Sequence, residues 1–81
     1  MTLSPLGQTE LTELQEALPQ LEAQLRGAGA AYAQEKPRFD LQREVFPAVR
    51  EEEIGMIRVV GRIQAQIEET RQRIAWLSRE R

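Results

Sequence analysis

Residues 56 to 77, MIRVVGRIQAQIEETRQRIAWL, decide the fold. Met56, Val60, Ile63, Ile67, Thr70, Ile74 and Leu77 recur at alternating gaps of four and three residues, which returns each of them to one face of an α-helix. Pro47 suits the first turn of that helix, because proline's missing N–H is an orphan there anyway. Glu51, Glu52 and Glu53 follow, where the positive end of the helix dipole favours carboxylates. The spacing predicts a helix over 47–80, about 50 Å long at 1.5 Å per residue.

Upstream, Leu11, Leu14, Leu18, Leu21, Leu25, Ala28 and Tyr32 carry the same stripe, with gaps of three and four. Thr9 reads as its N-cap, and the predicted helix is 9–35, preceded by a flexible segment 1–8. Pro19 lies on the outer side of the stripe and predicts a kink, or two collinear helices meeting there. Read forwards from Leu11 and backwards from Leu77, the two stripes have identical gaps, as an antiparallel pair requires. The implied layers run from Leu11 with Leu77, through Leu21 with Ile67, to Tyr32 with Met56. Charge agrees: residues 1–35 hold five Glu and one Arg, whereas 58–81 hold six Arg and three Glu. Docking would set Glu10, Glu13 and Glu16 beside Arg71, Arg73 and Arg79. Such surface pairs contribute about 0 to 1 kcal/mol each and select orientation more than they stabilise.

The connection between the stripes, Ala33 to Gly55, is too long for a bare loop in a compact domain, and its crossover is read as 36–46. Pro37 and Pro47 bracket Phe39, Leu41, Val45 and Phe46, which predicts a short structured crossover folded over the end of the hairpin. Residues 9–81 thus read as a single all-α domain, an antiparallel, coiled-coil-like two-helix hairpin. No alternating run bounded by turn dipeptides suggests a strand.

Composition narrows the function classes. The 81 residues contain no cysteine, so no disulfide framework and no cysteine-ligated zinc or iron–sulfur site, and no histidine, the commonest metal ligand and general base. No metal, cofactor or small-molecule substrate is expected. No apolar run approaches the roughly 20 residues of a membrane span, and a soluble cytoplasmic protein is the expectation. The net charge of −2 provides no global field for nucleic acid or anionic lipid.

A chain of this size buries only about 60% of its unfolded surface, so association is the natural remedy for marginal stability. Ile54, Ile57 and Val59 lie off the main stripe, and Gly61 with Ala65 adds a small-residue groove beside them. Read as one second apolar face, they predict an interface that completes a four-helix bundle as a homodimer, or that receives a protein partner. The alternative is that Phe39 to Phe46 folds back over them. Trp76, flanked by Arg73 and Arg79, is placed to stack on a guanidinium and to anchor the same interface with Arg73.

Arg58, Arg62 and Arg71 carry the runner-up reading, a nucleic-acid-associated dimer, with Arg58 and Arg62 one turn apart as a phosphate clamp requires. The negative net charge and the lack of interleaved aromatics weigh against it. A small all-helical enzyme comes third. Its candidate carboxylate would be Glu53, which occupies a seam position and reads more simply as the point where the seam meets solvent. Heptad helices resemble one another without common descent, so the stripe by itself names no activity. The expectation is a non-catalytic adaptor, assembly factor or small regulator.

Overall fold

A computed structural model describes residues 5 to 79 as two helices, α1 (Pro5–Gln42) and α2 (Pro47–Arg79), packed antiparallel into a hairpin. The molecule measures 60 × 16 × 15 Å, a rod one helix pair thick. The all-α hairpin expected from the two stripes is therefore the architecture. The core is the seam between them: Leu11, Phe39, Val49, Ile63, Ile67 and Leu77 are buried. Leu14, Leu18, Leu21, Leu25, Val60 and Ile74 are among the half-buried seam residues.

Three local expectations are corrected. First, α1 begins at Pro5, so residues 5–8 are helical rather than part of a flexible lead; residues 1–4 fall outside the described residues. Thr9 is not a cap. It sits inside the helix with its hydroxyl donating back to the Pro5 carbonyl at 3.0 Å, and Thr12 bonds to the Gln8 carbonyl in the same way.

Second, α1 is one helix through Pro19 and through Pro37, so the alternative of two helices meeting at Pro19 is replaced by a single helix. Each proline removes one backbone donor, yet both are exposed on the outer side of the helix. The carbonyls they leave without a helical partner, those of Gln15 and Ala33, therefore face water, which limits the cost.

Third, the crossover 36–46 is mostly helix. Residues 36–42 form the last turns of α1, leaving Arg43 to Phe46 as the connection. The Arg43 amide donates to the Phe39 carbonyl and the Phe46 amide to the Gln42 carbonyl, each at 2.9 Å, closing the end of α1. The Phe46 carbonyl then accepts from Val49 (3.0 Å) and Arg50 (3.4 Å), starting α2 at Pro47 as its sequence requires. None of the described residues has a positive φ, so the turn needs no glycine and contains none.

The turn also shows why the seam is longer than the two leucine- and isoleucine-rich stripes. With only four connecting residues, the heptads continue to the tip, through Glu35, Phe39 and Gln42 on α1 and back through Val49, Glu53 and Met56 on α2. Phe39, at 0% exposure, is the best-buried side chain of this region. It packs in the seam rather than over the hairpin's end.

Candidate interaction surface

Ion pairs crossing the seam fix which sides of the two helices meet. On one flank Arg73 grips Glu10 with both ends of its guanidinium, Nε to Oε1 at 2.6 Å and Nη2 to Oε2 at 3.1 Å. Further along that flank, at the same heptad positions, Arg38 Nη2 donates to Glu52 Oε1 at 3.0 Å. On the opposite flank Arg71 approaches Glu22 at 4.0 Å. Among the described residues, Glu13, Glu16 and Arg79 form no cross-helix ion pair, so charge matching uses one of the three acidic positions expected and recruits Glu22 instead.

The Glu10 contact has an electrostatic consequence. The hydrogen bond from Arg73, more than its bare charge, holds the Glu10 carboxyl below its ordinary pKa, and the same bond raises that of Arg73. Arg73 also lies over the Trp76 ring, 4.5 Å from its centroid. A chain of contacts from Glu10 through Arg73 to Trp76 thus holds the ring against the outside of α2, where 47% of it remains exposed. The stacking read from sequence is present, and its guanidinium is Arg73.

The remaining interface candidates are distributed differently from the sequence reading. Ile57 (51% exposed) and Val59 (46% exposed) are two residues apart, which on an α-helix rotates them by about 200°. They flank the seam on opposite sides. Ile54, half-buried, shares the flank of Ile57, while Val59 shares that of Arg73. Gly61 lies on the outer face, where an added Cβ would meet nothing within 4 Å. A single apolar face holding Ile54, Ile57 and Val59 together is therefore replaced by two separate flanks. The tip segment does not cover either one: Leu41, Val45 and Phe46 are themselves exposed.

Polar chemistry concentrates at the turn end, in a cluster the sequence reading did not assemble. Glu53 is buried at 8% exposure, so it lies within the seam and does not mark its end. Its Oε2 accepts from the Tyr32 hydroxyl at 2.9 Å and from Arg43 Nη2 at 2.9 Å. Arg43 also donates to Asp40, and its Nε is buried without an acceptor. Tyr32 stands 6.1 Å from the Phe39 ring, and the Arg38 guanidinium covers that ring at 4.9 Å. The hydrogen bond to Glu53, followed by burial and the nearby carboxylate charge, raises the Tyr32 pKa above 10.0. A carboxylate already accepting from two donors pins the turn; it is not a free general base. The signal for this cluster was Glu53 at a seam position one turn from the layer of Tyr32 and Met56.

Of the arginines considered for nucleic acid, Arg71 is engaged by Glu22. Arg58 and Arg62 are exposed and form no ion pair among the described residues. Between the helices on the Arg71 side runs a groove floored by Leu25 and Ile67 and rimmed by Glu22, Arg26, Glu68 and Arg71. Among the described residues no group of three or more His, Cys, Asp or Glu is placed to hold a metal ion, and no helix is long and apolar enough to cross a membrane. Comparison with protein families, with curated proteins and with solved structures yields no match to this chain.

Proposed function

We propose that this chain is a non-catalytic helical interaction module that works as an oligomer of hairpins or in complex with a protein partner. The observation that supports it is the apolar surface left over by a two-helix fold. Leu6, Leu41, Val45, Phe46, Ile57, Val59 and Trp76 are each at least 46% exposed on a rod only 16 × 15 Å across. A helix that is apolar beyond one seam has a second neighbour to meet, and two hairpins joined side by side would bury part of this surface. Trp76, held by Arg73, has the composition of a binding hot spot. A cytoplasmic setting goes with this reading.

Sedimentation equilibrium over a range of loading concentrations tests it. The expected result is a mass rising towards two chains, with Trp76→Ala shifting the rise to higher concentration while leaving helicity unchanged. A mass of one chain at every concentration, in buffer and in a lysate of the source cells, removes the module.

One observation favours the nucleic-acid reading, namely that Arg58 and Arg62 lack partners within the described chain. It predicts binding that weakens steeply with salt. The absence of any electrophoretic shift at physiological salt retires it.

A further inference from the structure

The seam occupies one face of α2, and the opposite face carries a second heptad series of its own. It runs from Ile54 through Arg58, Gly61, Ala65 and Glu68 to Gln72, with gaps of four and three; Arg58, Ala65 and Gln72 lie opposite the seam, while Ile54 and Glu68 border the flank that carries Ile57 and Arg71. All of these except half-buried Ile54 are exposed. Between Ile54 and Gln72 the charge along this side is polarised. Arg58 and Arg62 lie towards the turn, Glu68 and Glu69 lie towards the open end, and small Gly61 and Ala65 stand between. None of the four charged residues forms an ion pair among the described residues; Glu68 only accepts from Gln72 at 3.1 Å. None of these charges is paired with α1, and they match themselves once the helix is reversed.

We propose that a second copy of the chain binds here, the outer faces of the two α2 helices packing antiparallel about a two-fold axis beside Ile63 and Gln64. This rests on the reading of the chain as a self-associating module and specifies the surface it uses. Reversal about that axis lays Arg58 and Arg62 of each copy against Glu68 and Glu69 of the partner subunit, twice over, as an isologous contact requires. A parallel arrangement would set Arg58 on Arg58 and Glu68 on Glu68, which like-charge repulsion disfavours. Near the axis, Gly61 and Ala65 allow the backbones to approach. A Cβ at Gly61 would meet nothing in its own chain, so intrachain packing does not call for glycine at this helix-interior position. Ile54 and Gly55 of one copy then meet the Gln72 to Trp76 stretch of the other, covering part of the exposed indole. The two α1 helices lie outermost.

Charge reversal in halves tests this surface. Arg58→Glu with Arg62→Glu makes the stretch between Ile54 and Gln72 acidic throughout, and Glu68→Arg with Glu69→Arg makes it basic throughout. All four positions are exposed and outside the seam, so each variant keeps the hairpin, which circular dichroism checks. In sedimentation equilibrium each variant alone is expected to dimerise with a dissociation constant raised at least about tenfold, and their equimolar mixture to regain wild-type association. Either variant alone dimerising like the wild type overturns this face while leaving the interaction module standing. Loss in both without recovery on mixing overturns the antiparallel register. A wild-type chain monomeric throughout removes self-association itself. Should the two arginines serve nucleic acid, Arg58→Glu with Arg62→Glu would abolish an electrophoretic shift and leave the mass unchanged, and the proposal fails.

Discussion

At the open end of the hairpin, Leu11 and Leu77 are buried and the nearest charge pair, Glu10 with Arg73, lies outside them at the surface. At the turn end, Phe39 and Val49 are buried in company with a carboxylate, Glu53, and the donors that satisfy it. The first arrangement is aliphatic burial with a screened ion pair alongside. It tolerates small shifts, because dispersion and hydrophobic burial are non-directional. The second depends on hydrogen-bond geometry, since a buried carboxylate missing one donor costs far more than a loosened leucine contact. The difference follows the chain. Contacts at the tip close a short loop at little entropic cost, whereas Leu11 and Leu77 are buried only when the whole hairpin has formed. Register is set where the loop is short, by directional bonds; the remainder of the seam then closes by burial.

Breaking the tip tests this most directly. Phe39 is fully buried and supports both the Tyr32 ring and the Arg38 guanidinium, so Phe39→Ala is expected to cost about 3 to 5 kcal/mol. Leu77→Ala should cost less than Phe39→Ala, because the open end of a hairpin can fray without the tip being lost. Urea unfolding followed by circular dichroism ranks them. A larger loss at Leu77 would reverse the assignment of the tip as the register-setting end.

How far this was legible in the sequence follows from the same contrast. The aliphatic seam announces itself, because Leu and Ile at heptad spacing carry the period in their identity. The antiparallel direction was read from that spacing together with the charge balance of the two stripes. At the tip the period continues, but through Glu35, Gln42 and Glu53, and polar residues at seam positions read as the end of a seam. Pro37 strengthened the misreading, since nothing in sequence tells that the carbonyl it leaves without a helical partner faces water. The outer surface was partly legible. Ile54, Ile57, Val59 and Trp76 were recognised as surplus apolar residues, and the stacking of Arg73 on Trp76 was among the contacts considered. Grouping Ile57 with Val59 failed against helical geometry, which an apolar count ignores.

The Glu53 cluster yields the next effect. Glu53→Ala leaves the Tyr32 hydroxyl without its acceptor and strips Arg43 of one carboxylate. The expected loss is about 2 kcal/mol, below that of a fully buried ion pair because Arg43 is partly exposed and keeps Asp40. Glu53→Gln should lose less, since the amide oxygen still accepts from both donors. Comparing the two unfolding midpoints separates acceptor geometry from charge: equal losses would mean that charge, rather than hydrogen bonding, carries the site.

The smallest effect is a change in pH dependence. Tyr32 is the only tyrosine in the chain, so phenolate absorbance reports it alone. Its folded pKa lies above 10.0 because ionisation would break its hydrogen bond to Glu53 and set two negative charges together. Between the unfolded and folded values the unfolded chain has already lost this proton and the folded chain has kept it. The unfolded state thus binds fewer protons, and stability falls as pH rises. The contribution is fully present below pH 10 and disappears as pH climbs through the folded value. Tyr32→Phe should therefore flatten the alkaline limb of the stability profile and leave its neutral-to-acid shape unchanged. If wild type and Tyr32→Phe lose stability in parallel above pH 10, the hydroxyl is not held by Glu53 in solution, and Arg43 is left as the donor that fixes Glu53 at the turn end.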